Sequence, residues 1–429
     1  MGREPQREMT APRRTVAEPG RALPVRGRFD VVVAGGGVAG VAAAVAAARA
    51  GASACLIERA CALGGLATLG NVTIWLPLCD GRGRQVIGGL AETMLQRVVG
   101  DLARDDRAAG PERIPPCWRP GGDVRQRRTT RYRAGFNPAA CLLALEALVV
   151  EAGVTLLYDT RVCAVGAEGG RIDHVIVENK SGRGALACGA VVDATGDADV
   201  CFLAGEPTES LDTNVLSGWF YWLLDGSPRL EPLSHDYSPA GGRDDAEGPF
   251  FRGDDADDVT AHLVETRRLI RDRLAALRAA HPDADVQPIA LPTVPGLRMT
   301  RRLVGPVSIG DRHVHQWFDD TVALTGDWRR AGPVHAVPLR ALRAGRCRNL
   351  LAAGRCISAD TTVWDVTRAI PTCAATGEAA GAAAALAVRD AAGDVGALVV
   401  EALQRHLRAG GALLGPDLVR PLRSPPAPG

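Results

Sequence analysis

The chain is nearly without lysine: Lys180 is the only one, and every other basic residue is arginine. That reads as a compositional bias of the genome rather than a functional choice. Net charge is also nearly absent, +1 at pH 7, so there is no broad electrostatic footprint for nucleic acid. No apolar run approaches the roughly 18 residues of a transmembrane helix, and no membrane span is expected. The eleven cysteines contain no Cys-x-x-Cys; the nearest neighbours are Cys55 and Cys61, then Cys347 and Cys356. The tightly spaced cysteines that ligate an iron–sulfur cluster are therefore missing. Arg13-Arg14 is followed by no apolar segment, so no export signal is read, and the expectation is a cytoplasmic protein with reduced thiols.

What remains is ordinary in bulk and specific in detail. At 429 residues, 46% hydrophobic and 23% charged, the chain has the composition of a soluble globular protein and room for two or three domains. Its most informative stretch is Val31 to Gly40, VVVAGGGVAG. Val31 to Ala34 is an apolar run of strand length. Gly35, Gly37 and Gly40 then fall at Gly-x-Gly-x-x-Gly spacing, and an alanine-rich segment with helix propensity follows. The first glycine permits the tight turn, the second lets backbone approach a pyrophosphate, and the third lets helix pack on strand. The amides of Val38, Ala39 and Gly40 at the helix start would face the phosphates. A second apolar run, Ala54 to Ile57, ends in Glu58-Arg59, close to the offset of about 20 residues at which a carboxylate takes ribose hydroxyls.

Further along, Val86 to Val99 reads as a helix. Asp101 to Arg133 is polar, arginine-rich and proline-rich, a surface excursion. Pro138 opens another helix, to Glu151. Val154–Tyr158, Arg161–Val165, Ile172–Glu178 and Ala185–Cys188 are short strands punctuated by glycine turns, leading into Ala190–Asp193 and the turn Ala194-Thr195-Gly196-Asp197. Beyond Gly205 the texture changes. Five of the seven tryptophans lie there, with Trp219-Phe220-Tyr221-Trp222 the densest aromatic cluster, as suits a concave substrate site. A long helix capped by Asp258 carries the stripe Val259, Leu263, Ile270, Leu274 and Leu277 and closes at Pro282. Asn349–Ala353 is again a strand, ending at Gly354, and Pro371 opens a helix of almost only small residues.

Four separated pieces, in this order, carry a family resemblance: Gly35 to Gly40 with Glu58; Gly64-Gly65-Leu66-Ala67-Thr68; Asp193-Ala194-Thr195-Gly196-Asp197; and Ala353-Gly354-Arg355-Cys356-Ile357-Ser358 with the small-residue helix. From about Phe29 to about Leu413 the chain resembles the glutathione-reductase-type flavoproteins with two dinucleotide-binding motifs. Among these it is most similar to the FAD-dependent oxidoreductases related to the flavoprotein component of heterodisulfide reductase. The resemblance implies an α/β fold: a Rossmann-like FAD-binding domain of parallel sheet, helices and β-meander, with an inserted α+β substrate domain. The implied boundaries are a disordered tail 1–28, FAD-binding parts 29–204 and 345–413, a substrate domain 205–344 and a second disordered tail 414–429. Gly35, Gly37, Val38, Ala39 and Gly40 would hold the FAD pyrophosphate. Glu58, with Arg59 beside it, would hold the adenosine ribose, which argues against a 2′-phosphate. Gly64, Gly65 and Thr68 would follow the inner phosphate and ribityl chain, and Val162 would meet adenine. Thr195 and Gly196 match the second dinucleotide turn, Gly354 the position beside the ribityl chain, and Pro371 the start of a helix aimed at the flavin pyrimidine edge. The chain departs from its relatives at Met299, where a glutamate is usual, at Asn137 and Ala139 in Phe-Asn-Pro-Ala, and at His335, where an aromatic ring is common.

The expected function is an FAD-dependent oxidoreductase passing a hydride between a small organic substrate and FAD. No second Gly-x-Gly-x-x-Gly is present, so the electron acceptor is expected to be oxygen, a quinone or a protein. His335 is the first candidate for the base that takes the departing proton; Arg298 and Arg301 are candidates for holding an anionic group or the reduced flavin. Three alternatives stand beside this reading: an electron-transfer subunit of a heterodisulfide-reductase-like complex, a flavin linked covalently through Cys61 or Cys356, and a flavin-binding scaffold without turnover.

Overall fold

In the computed structural model residues 15–100, 114–236 and 248–422 are described. The chain opens with strand β1 (Val25–Ala34), helix α1 (Val38–Arg49) and strand β2 (Ala54–Ile57). Strand β3 (Ile74–Trp75), helix α2 (Gly89–Gly100), strand β4 (Ala134–Gly135), helix α3 (Pro138–Glu151) and strand β5 (Thr155–Leu157) follow. Then come β6 (Arg161–Glu168), β7 (Arg171–Asn179), β8 (Gly182–Asp193) and the short helix α4 (Asp199–Leu203). Next are β9 (Thr208–Ser210), β10 (Phe220–Leu224), β11 (Ser227–Glu231), α5 (Ala256–Ala280), β12 (Val286–Ala290), β13 (Arg301–Leu303), β14 (Thr321–Gly326) and β15 (Val334–Pro338). The chain ends with β16 (Leu350–Ala352), α6 (Thr361–Thr367), α7 (Ile370–Asp390), α8 (Val400–Ala409) and α9 (Pro416–Val419).

The fold is α/β around a seven-stranded sheet ordered β5-β2-β1-β8-β7-β6, with β16 also paired to β8. β5, β2, β1, β8 and β16 run parallel to their neighbours; β6, β7 and β8 form the antiparallel meander. β8 is one long strand where two short runs were expected. Its first half pairs with β7 and its last three residues with β16, so it joins the meander to the returning end of the chain. Val31, Val32 and Val33 on β1 are fully buried: Val31 and Val33 face the core shared with α1 and α7, and Val32 faces a second core with residues of β7 and α4.

The small residues of α1 and α7 have a packing reason. A methyl group on Gly377 would lie 2.1 Å from the Ala39 carbonyl oxygen, and one on Gly381 2.0 Å from that of Ala43. The two helices touch backbone to backbone, which no larger residue permits.

Several expectations are corrected. β1 begins at Val25, inside the segment read as a tail, because Val25 to Phe29 find pairing partners on β8. At the other end Leu414 and Val419 are buried and α9 packs beside β15, so residues 414–422 are not a free tail. Residues 1–14 and 423–429, also read as disordered, lie outside the described residues, as does 101–113 of the expected surface excursion. The remainder of that excursion is anchored: the Trp118 and Tyr132 rings stack at 5.1 Å, and both are buried. α2 starts at Gly89, not Val86. The cap of α5 is Asp255, whose carboxylate accepts from the Asp257 and Asp258 amides; Asp258 sits in the first turn instead. The β14–β15 hairpin lies within the stretch read as a substrate domain, yet Val322, Leu324, Val334 and Val337 join the same hydrophobic core as α1 and α7. Among the described residues no helix is long and apolar enough to cross a membrane.

Candidate functional site

At the end of β1 the chain turns through Gly35, at φ +96°, into α1. A methyl group on Gly40 would lie 1.7 Å from the Gly35 carbonyl oxygen, so the helix can start this close to the turn only with glycine there. α1 has Gly37 as its N-cap and no side-chain cap, which leaves its first amides for another partner. Glu58, at the end of β2, is buried and clamps this turn: the Gly36 N–H donates to Oε2 (2.6 Å) and the Ala60 N–H to Oε1 (2.7 Å). The next loop is tied to the first, since the Gly64 N–H donates to the Gly36 carbonyl (2.8 Å). Thr68 closes that loop by donating its hydroxyl to the Leu63 carbonyl (2.5 Å).

The third piece is organised by Asp193 at the end of β8. Its Oδ1 accepts from the Thr195 hydroxyl (2.7 Å) and its Oδ2 from the Cys201 amide (2.8 Å), which fixes the Thr195-Gly196 turn. In the fourth, the Gly354 N–H donates to the Thr376 hydroxyl (3.1 Å), joining the end of β16 to α7. α7 also lacks a side-chain cap at its N-cap, Ala369, and carries Pro371 in its first turn.

These pieces meet along one cleft of about 1960 Å³, well above the 300–1,000 Å³ typical of a single drug-sized ligand. Gly35, Gly37, Val38, Ala39, Glu58, Arg59, Gly64, Gly65, Thr195, Gly196 and Arg298 line it. Gly40, Thr68, Gly354 and Pro371 lie behind the lining as its support, and Val162 sits on β6 outside it. A side chain built on Gly37 would meet nothing within 4 Å, so the space over this residue is open towards the cleft. Two uncapped helix starts, a backbone kept bare of side chains and a terminal carboxylate are the features a dinucleotide needs.

The far part of the cleft is aromatic and cationic. Trp219 and Tyr221 line it while Phe220 and Trp222, alternating with them, are buried in the core, as the period of a strand dictates. The Tyr221 hydroxyl lies 2.7 Å from Thr73 Oγ1. The Arg298 guanidinium stands 5.5 Å above the Trp219 ring, and its Nε donates to the Gly296 carbonyl (3.1 Å).

Two expected catalytic residues are elsewhere. His335 is fully buried on β15, opposite Thr325 of β14, outside the lining. Neither ring nitrogen has a hydrogen-bond partner, and burial pulls the imidazole down to about 4. It cannot reach a substrate in the cleft. Arg301 is buried as well: its Nη2 donates to Asp199 Oδ1 (2.6 Å), its Nε to the Asp197 carbonyl (2.9 Å), and its guanidinium packs 4.3 Å from the Phe202 ring. It secures the acidic turn after β8 and leaves the cleft to Arg298. Of the two thiols considered for a covalent flavin, neither lines the cleft. Cys356 is buried behind Asp193, accepts the Ala198 N–H (3.3 Å), and burial pushes its thiol well above the usual range.

Sequence reasoning missed Cys373, whose thiol burial pushes up to about 12, and Asp197, Arg131, Arg133, Trp328 and Arg355, all on the lining. Asp197 Oδ1 accepts from the Thr300 hydroxyl (2.6 Å) and faces Arg355 Nη2 (3.4 Å). Asp197 and Arg355 lie inside two of the four motif pieces. For Arg131 and Arg133 no local sequence signal was available, since the chain bends between them.

Comparison with known proteins gives a family and distant likenesses. A family model described as FAD dependent oxidoreductase matches residues 30–214 and 244–407. The 3-oxosteroid 1-dehydrogenase of Mycobacterium tuberculosis is 33% identical over 110 residues, covering 22% of this chain and 20% of that protein; the match thus spans about a fifth of the relative's length. Among solved structures, a geranylgeranyl bacteriochlorophyll reductase-like protein from Thermoplasma acidophilum is similar at 14% identity and TM-score 0.42, covering 92% of this chain and 90% of that one. Aklavinone-11 hydroxylase, in a ternary complex with FAD and aklavinone, is similar at 15% identity and TM-score 0.42, covering 84% and 63%.

Proposed function

The chain belongs to the FAD dependent oxidoreductase family, an enzyme family whose cofactor is FAD, and on that premise we propose that it passes a hydride between a small organic substrate and FAD. The observation that carries this is the single cleft, in which the dinucleotide loops and an aromatic, arginine-lined chamber share one volume of about 1960 Å³. In this reading the uncapped start of α1 takes the pyrophosphate and Glu58 the adenosine ribose. The Gly64-Gly65 loop and the Thr195-Gly196 turn flank the middle of the cofactor, and the start of α7 stabilises negative charge on the ring system. FAD supplies the hydride chemistry.

The protein's own part is orientation and proton handling. The stretch after Gly205 that precedes the β14–β15 hairpin supplies the substrate side in this reading, with Trp219 and Tyr221 as its aromatic wall and Arg298 as an anion-holding group. With His335 off the cleft, the proton that leaves a C–OH or C–N group needs another acceptor on the lining. The Asp197 carboxylate on the lining is a group able to take it, and the Thr73–Tyr221 hydroxyl pair can relay it by accepting one proton while donating another. Reoxidation falls to oxygen, a quinone or a protein, because the chain carries no second Gly-x-Gly-x-x-Gly.

The test is an anaerobic screen of small metabolites that follows bleaching of the flavin's visible band. Reduction by a compound of one chemical class supports the reading. A flavin that dithionite reduces but no metabolite does would favour the scaffold alternative.

A further inference from the structure

The lining is unbalanced in charge. Among the described lining residues there are eight arginines and two carboxylates, Glu58 and Asp197. Arg329 and Arg368 are paired with buried Asp327 and Asp365 behind the wall, which brings the carboxylates to four. Asp327 is shared with Arg330 (3.1 Å), and among the described residues neither Arg131 nor Arg133 is in an ion pair with a carboxylate. A surplus of this kind in a partly enclosed cleft attracts an anion more strongly than the same charges in open water.

The surplus has an address. Arg131 and Arg133 precede β4, and both line the cleft, whereas Tyr132 between them is buried and donates its hydroxyl to Glu92 Oε1 (2.8 Å). The chain bends at Tyr132, where the Arg133 N–H donates to the Arg131 carbonyl (3.0 Å), and the arginines on either side of the bend both border the cleft. Arg131 is already oriented: its Nη1 donates to the carbonyls of Trp328 (2.7 Å) and Asp327 (3.4 Å), which are partners that do not cancel its charge. β4 pairs with β3, and on that neighbouring segment Ile74 and Leu76 line the same cleft. A cationic pair beside an apolar row is the pattern for an amphipathic anion.

Resting on the hydride-transfer reading above, we propose that the substrate is an anion with an apolar body, a carboxylate or a phosphate ester, whose charged group is held by Arg131 and Arg133 while the body lies along Ile74 and Leu76. Paired guanidiniums suit both oxyanions, which accept from two donors at once.

The experiment titrates the FAD-loaded protein with 2-naphthoate, 2-naphthyl phosphate and methyl 2-naphthoate, following perturbation of the flavin's visible band. At least one anion is expected to bind saturably, about tenfold or more tighter than the neutral ester, the scale of one charge-assisted hydrogen bond. The tighter of the two anions identifies the class. R131Q and R133Q should each weaken that anion by about tenfold and leave ester binding and FAD content unchanged. Arg133 is exposed, so R133Q carries the test if R131Q folds poorly. Equal binding of ester and anions, no saturable binding of either anion, or variants that bind like the parent would overturn the proposal while the hydride-transfer reading stands. Protein purified without FAD would overturn both.

Discussion

Glu58→Gln tests two duties of one side chain. In the folded protein its two oxygens accept from the Gly36 and Ala60 amides at 2.6 and 2.7 Å, and the residue is only 8% exposed. Glutamine keeps one acceptor oxygen and places an NH₂ where the other stood. One backbone N–H then faces a donor, whichever way the amide turns. Loss of a charged hydrogen bond of this sort costs about 1.5–3 kcal/mol, and here the cost falls on the FAD-free protein. The ribose hydroxyls lose a charged acceptor in addition, another contribution of about 1.5–3 kcal/mol to cofactor binding, or roughly a 10–100-fold weaker affinity. The assay pairs a fluorescence titration of FAD into apoprotein with denaturant unfolding of the same apoprotein. Both quantities should fall. An unchanged FAD affinity would refute the ribose role, and an unchanged unfolding midpoint would refute the clamp on Gly36 and Ala60.

Three further outcomes follow from the same geometry. Burial holds His335 down at about 4 against an ordinary 6.5, so the unfolded chain binds the proton first and stability is lost as pH falls from about 6.5 through 4, by up to about 3 kcal/mol. His335→Leu should flatten that dependence in denaturant unfolding at pH 7 and 5 and leave the pH profile of turnover alone; a lost kinetic limb would return His335 to the mechanism. Glu378 has the opposite sign: burial raises its carboxyl from 4.5 to about 7, so its contribution is present below 4.5 and lost as pH rises through 7. Glu378→Gln can still accept the Leu90 N–H that Glu378 takes at 2.9 Å, and should unfold at higher denaturant than the parent at pH 8, with the gain gone at pH 5. Finally, because Cys61 and Cys356 are off the lining, acid precipitation should release all FAD to the supernatant; colour kept by the pellet would mean a covalent link.

What the sequence made legible was local. Gly35, Gly37, Gly40 and Glu58 act through spacings of a few to about twenty residues; Gly35, Gly37 and Glu58 line the cleft and Gly40 lies behind it. The meander was legible because its strands follow one another through short turns. What failed depended on distant pairing. His335 and Arg301 look as chemically able as Arg298 in the sequence, but β15 is buried through its pairing with β14, which packs against α6 and α7, and Arg301 is committed to Asp199, 102 residues away. Arg131 and Arg133 were hidden in an arginine-rich stretch, because a bend at Tyr132, just before β4 pairs with β3, sets their place beside the cleft. Val25 looked like part of a polar tail until β8 supplied its partner.

Gly37→Val tests the central claim most directly. Gly37 has extended backbone geometry, φ −65° and ψ 176°, which valine also adopts, and nothing lies within 4 Å of the position its first side-chain carbon would occupy. The fold should therefore accept the substitution, at a helix-capping cost of order 1 kcal/mol, while the new side chain fills the space assigned to the pyrophosphate. FAD content of the purified variant is the measurement. The account predicts folded, colourless protein with an unfolding midpoint close to that of the parent apoprotein; a variant that keeps its full complement of FAD would contradict it.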